Sequence, residues 1–308
     1  MDTFWLIAPG GVFVASLWYA LAPRYHESRA ERFLQRGRDR QATLHLKAAR
    51  KSWVRRKGEN SIEAASALAS LARIRFLQGA TESGTGLLDR AARGVYAYKG
   101  RPTRRLIVAL IRLGQAANVA QRHTEAVAIG EKALALAGRV LYGADPCLGA
   151  IEAMLGDAYA ELALFEQAHA HYGRALEIYR LNAGEDSPDA GVVLAAMATS
   201  MVREERWKEA RENGLEAVEI LDRHDSVRLP EALGALAELH ARRGRFAEAE
   251  GLRLSICHLW ERVGGPDSAL LAREYERRAE LLRSMERRTE ARYLQGQADK
   301  IRRAVASA

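Results

Sequence analysis

Disulfide chemistry has almost nothing to work with in this chain. Its 308 residues include two cysteines, Cys147 and Cys257, far apart and without a His or Cys at ligand spacing beside either. That excludes a disulfide framework and a structural zinc site, and leaves reduced thiols as the expectation. Proline is scarce at 7 residues and β-branched residues are sparse, while alanine and arginine abound, so helix is favoured and little interrupts it. Catalytic signatures are missing as well. There is no Gly-x-x-x-x-Gly-Lys-Ser/Thr loop, no His-Glu-x-x-His and no Gly-x-Ser-x-Gly. His169 and His171 stand two apart, so on a helix they point about 200° away from each other and cannot share a metal. His123, His224, His240 and His258 are isolated, and Cys257 beside Ile256 reads as a small core residue rather than a nucleophile. No enzyme activity, metal or cofactor is expected.

What the chain does have is a repeat. From Leu155 to Leu176 the sequence reads as two helices and a tight turn: Leu155, Gly156 and Tyr159 mark one inner face, Ala168, Tyr172 and Ala175 the other, with Phe165 between them. A small residue sits where the helices would cross and a bulky one sits beside it. The small residue of the second helix recurs as Gly84, Ala126, Ala168, Ala210, Ala249 and Ala291, at spacings of 42, 42, 42, 39 and 42. Its partner on the first helix recurs as Ala72, Gly114, Gly156, Ala198, Ala237 and Ala279, and a third position as Ala91, Ala133, Ala175, Ala217, Ile256 and Ala298. Gly/Asp/Pro clusters at 142–146, 183–189 and 264–268 separate the units as helix stops and starts.

This pattern resembles the tetratricopeptide repeat, whose fingerprint places Leu-Gly-x-x-Tyr, an aromatic, then Ala, Tyr/Phe and Ala at set offsets. The 42-residue period resembles the subtype found in kinesin light chains and many bacterial proteins. The resemblance covers about residues 60–305. It implies an all-α, right-handed superhelical solenoid of about six hairpins, with residues 28–55 (Ala30 and Ala42 in register) as a candidate degenerate seventh. Charge at Arg278 and Arg288 fits a solvent-facing last unit. The resemblance also implies a concave groove lined by the first helix of each unit, taking peptides or helices of protein partners. Its exposed inner positions here are Arg73, Phe76, Arg112, Gln115, Asn118, Met154, Asp157, Glu161, Thr199, Arg203, Glu238 and Arg242. The Lys/Asn/Arg clamp that some members use for a terminal carboxylate is not found in register.

The N-terminus reads differently. Residues 4–22 carry no charge, enough for a helix of roughly 28 Å, with Trp5 at one end and Trp18 and Tyr19 at the other. Cations follow at Arg24, Arg29 and Arg32. Residues 23–58 hold 12 Lys and Arg against 3 Asp and Glu, a net +9 within a chain of net +8, so the body beyond residue 58 is neutral. The expectation is a single-pass anchor at 4–22, a short extracytoplasmic tail at 1–3, a basic juxtamembrane helix at 23–58 and a cytoplasmic repeat array at 59–308. Because only 7 of the 47 basic residues are lysine, a GC-rich bacterial genome is expected, hence the bacterial inner membrane. A cleaved signal is the rival, although no cation precedes the apolar run and Pro23 would follow the cleavage site.

The expected function is a membrane-anchored scaffold that recruits protein partners. One alternative is a periplasmic or soluble assembly factor after signal processing. Another is nucleic-acid or anionic-lipid binding through residues 24–57, with nucleic acid the less expected because no nucleic-acid fold motif accompanies the charge.

Overall fold

A computed structural model describes residues 9–265 and 268–306, and among them there are fourteen helices and no strand. They pair in chain order as seven hairpins: α1 (Pro9–Gln35) with α2 (Asp39–Lys57), α3 (Ile62–Leu77) with α4 (Thr81–Ala97), α5 (Arg104–Val119) with α6 (His123–Ala137), α7 (Pro146–Glu161) with α8 (Phe165–Ala183), α9 (Pro188–Arg203) with α10 (Trp207–Arg223), α11 (Leu229–Arg242) with α12 (Phe246–Gly264), and α13 (Ala269–Ser284) with α14 (Arg288–Ala306). Each hairpin packs on the next, and odd-numbered helices also pack on one another, as α3 does on α5 and α9 on α11.

The small residues make this stacking possible. Ala126, Ala168, Ala249, Ala91, Ala133, Ala175, Ala217 and Ala298 are all fully buried. At Gly156 an added Cβ would lie 2.6 Å from the Tyr172 ring, so glycine lets that ring lie flat between α7 and α8. Starts are set locally as well: Ser61, Thr103, Asp145 and Ser268 each accept a backbone N–H at a helix N-terminus, and Pro146 and Pro188 open α7 and α9.

Every hairpin turns through one residue in the left-handed region. These are Gly37, Gly79, Gln121, Ala163, Glu205, Gly244 and Glu286, with φ between 58° and 79°. They keep the same 42-residue rhythm with one step of 39, and Gly37 places the α1–α2 hairpin in that register. The short step falls before α11, which has 14 residues where α9 has 16.

The N-terminal expectation needs correction. Among the described residues no helix is long and apolar enough to cross a membrane, which overturns the single-pass anchor at 4–22 and the inner-membrane placement built on it. Instead α1 runs without a break through Pro23 to Gln35. Trp5 lies outside the described residues, and Trp18 and Tyr19 fall inside α1. Arg24 and Arg32 are exposed, while Arg29 lies over the Tyr25 and Phe33 rings at 6.0 and 5.2 Å.

Candidate binding lumen

The odd-numbered helices face inward, and four of them enclose a cavity of about 660 Å³. Asp157 reaches it from α7, Val192, Ala195, Thr199 and Arg203 from α9, Glu231, Glu238 and Arg242 from α11, and Arg277, Glu280 and Ser284 from α13. Arg228, just ahead of α11, completes the wall. Small apolar residues form the floor and charged side chains rise from it, because consecutive inner positions are spaced by helical turns on neighbouring parallel helices.

Most of these charges compensate one another. Arg228 holds Glu231 with two bonds at 3.1 and 2.8 Å. Arg242 donates to Glu238 at 3.1 Å, and Arg203 stands 3.4 Å from Glu161 while covering the Phe165 ring at 5.6 Å. Below them, Arg253 and Glu274, 5% and 3% exposed, form a buried ion pair at 2.9 Å. Glu280 has no cationic partner among the described residues. Asp157 touches the water of the lumen yet is surrounded by the array, and this enclosure raises its carboxyl to about 6. The Tyr172 hydroxyl, donating to it at 2.9 Å, works against that rise, as does Arg228, while Glu231 adds to it.

Of the twelve expected groove positions, Asp157, Thr199, Arg203, Glu238 and Arg242 line this one cavity, and Glu161 joins through Arg203. Arg73, Arg112, Gln115 and Asn118 lie along α3 and α5, beyond its wall. Arg73 donates to Gln115 at 3.2 Å, and burial lowers its pKa, with Glu31 opposing and Arg228 and Arg112 adding repulsion. Arg112 donates to Ser66 at 3.0 Å and stands 3.9 Å from Glu31. Asn118 donates to the Met154 carbonyl at 3.0 Å, tying α5 to α7.

Two positions are not on the groove surface. Met154 is 2% exposed and fills the space that Gly114 leaves open. Phe76 turns into its own hairpin, where its ring would be 2.9 Å from a Cβ on Gly84. In both cases a neighbouring glycine drew the bulky side chain inward. The sequence reading missed Arg228, Glu231, Arg277, Glu280 and Ser284. Arg228 and Glu231 follow the shortened step, where the 42-residue register fails. Arg277, Glu280 and Ser284 belong to the last unit, read as a solvent-facing cap. Its Arg278 is in fact only 18% exposed in its side chain and stands 3.6 Å from Glu250.

The helical-repeat fold matches what comparison with known proteins finds. The tetratricopeptide repeat family model matches residues 105–181 and 154–223. Among solved structures, a Rap protein complexed with Competence and Sporulation Factor aligns over 94% of this chain and 75% of its own, at 16% identity and a TM-score of 0.63. The apo form of RapI aligns over 93% and 99%, at 13% identity and TM-score 0.58. BtubC from P. vanneervenii aligns over 80% and 93%, at 18% identity and TM-score 0.51. A search of curated proteins finds no match in sequence. The family match thus covers residues 105–223, and the described residues share the helical-repeat fold of these structures. The chain's likeness to these structures is one of fold.

Proposed function

We propose that this chain is a non-enzymatic scaffold that recruits protein partners by holding a polypeptide segment in the lumen between α7 and α13. The observation that carries the reading is the single cavity of about 660 Å³ to which four consecutive repeats each contribute. Its size falls within the range of sites that take a drug-sized ligand. Its walls pair opposite charges over small apolar residues, which suits an extended segment of mixed charge better than a strongly acidic or basic one. The Rap structure captured with a factor bound supports this reading by analogy of fold alone. A peptide that displaces Glu161 from Arg203 or Glu238 from Arg242 exchanges one half-exposed ion pair for another, so selectivity comes from matching the order of charges.

A photo-crosslinking residue at Thr199 tests the proposal against one at Leu181, which is 71% exposed on α8. The lumen position should capture a defined polypeptide, and Arg203→Glu with Arg242→Glu should abolish that capture. Equal capture at both positions, or capture indifferent to the charge reversals, would exclude the lumen as the binding site.

A further inference from the structure

In a helical-repeat array each unit needs only its neighbours, so contacts between the first and last units have no role in stacking. Here three such contacts leave one turn. Arg38 donates Nε–H to the Val263 carbonyl at 3.1 Å, Arg40 donates Nη2–H to the Ala304 carbonyl at 2.9 Å, and Asp39 Oδ2 accepts from the Ala269 amide at 3.1 Å. Each partner is a backbone group near a helix end: Val263 and Ala304 lie in the last turns of α12 and α14, and Ala269 opens α13.

We propose that the turn carrying Arg38, Asp39 and Arg40 is a clasp that closes the array into a ring, and that bulky ligands reach the lumen only when it releases. The charge order of the turn, plus–minus–plus, is the complement of the three helix ends it meets, which carry partial charges of minus, plus and minus. The fit is steric as well as electrostatic. Gly37 turns with φ +62°, and a Cβ there would lie 2.8 Å from Ser268 Oγ and 3.3 Å from Leu270. On the other side, a Cβ on Gly264 would lie 3.2 Å from the Arg36 carbonyl.

The seam is also built to part. The apolar cluster of α1 to α4 and those of α12 to α14 share no residue, so polar groups that water can replace hold the ends together. A second contact lies beside it. There Arg302, held by Glu276 at 2.6 and 2.7 Å, covers Gly79 in the turn after α3. This inference concerns entry to the lumen and stands apart from what the lumen binds.

Labelling a cysteine inside the ring tests it. In a Cys147→Ser, Thr199→Cys protein, Cys257 stays out of reach at 2% exposure. Reaction with a maleimide bearing a polyethylene glycol chain should be slow, and with N-ethylmaleimide fast. Adding Arg38→Glu and Arg40→Glu, which sets carboxylates against two carbonyl ends, should speed the bulky reagent by about tenfold and leave the small one within about twofold. Spin labels at Lys47 and Lys300 should move apart in the same variant. A second arm leaves Arg38, Asp39 and Arg40 in place. A Cβ on Gly37 would lie 2.8 Å from Ser268 Oγ, so Gly37→Cys with Ser268→Cys brings two thiols within reach of a disulfide, and oxidation should stop bulky labelling while reduction restores it. Bulky labelling unchanged by oxidation, or a folded Glu variant with parental rates and spin-label distances, would overturn the clasp.

Discussion

Between α5 and α10 the hairpins interlock through alanine and glycine against Met, Leu and Tyr side chains, and Glu152, bound to His171 and Arg174, is the one buried charge among the described residues there. Where α2 meets α13 the pattern is reversed: the apolar clusters stay on their own sides, and charged side chains meet helix ends. The middle therefore behaves as a packed interior, whose cost of disruption is set by volume. The C-terminal repeats and the seam depend on whether enclosed charges keep their partners. The largest effect separates these regimes. Arg253→Met removes the 2.9 Å partner of Glu274, 3% exposed, leaving Arg277 at 3.8 Å, and should cost about 3 kcal/mol in denaturant unfolding. Adding Glu274→Leu should restore most of that loss. If the single and double variants are equally unstable, packing governs the C-terminal repeats as well. In the middle, Gly156→Leu should cost about 1–3 kcal/mol, because its side chain must displace the Tyr172 ring. An unchanged melting curve would contradict the volume argument.

The contrast also explains what could be read in advance. Gly156, Ala168 and Ala175 announce a hairpin because close packing admits few residue types, so the repeats and the all-helical fold were visible in composition and spacing. Asp157, Thr199, Arg203, Glu238 and Arg242 followed by counting helical turns from those positions. Charge–charge geometry leaves no such mark. Arg228 shows nothing in sequence of its place in the wall, because the register shifts by three residues just before it. Met154 and Phe76 were misplaced because inward or outward direction depends on a glycine on another helix. The apolar run before Pro23 suggested a span by length, yet the helix carrying it continues directly into Arg24 and a hairpin that packs on α3.

Asp39 lets pH probe the seam. Burial raises its carboxyl from 3.8 to about 6, against the Ala269 hydrogen bond and the charge of Arg73, which pull it down. A pKa raised on folding means that the folded state binds the proton more tightly. Its stability contribution is therefore full below about pH 4 and is lost as pH rises through about 6, by at most about 3 kcal/mol. Asp39→Asn keeps the acceptor without the charge. Its melting temperature should equal the parent's near pH 4 and exceed it by a few degrees above pH 7. A variant less stable than the parent at pH 7.5 would mean that attraction to the α13 N-terminus outweighs the burial cost.

The smallest expected effect returns to the middle of the array and changes the backbone alone. Ala163 turns α7 into α8 with φ 58°, a region where a Cβ is strained and where Gly37, Gly79 and Gly244 stand in the equivalent turns. Ala163→Gly relieves that strain and also loosens the unfolded chain, two opposing terms of similar size. The left-handed geometry is held by the packing of both helices, so strain relief should win by about 0.5–1 kcal/mol, read as a rise in the denaturation midpoint with unchanged slope. Because this turn lies away from the clasp, the gain should leave bulky labelling of the lumen untouched. A gain that also altered labelling would tie the central turns to ring closure and dissolve the division between middle and ends.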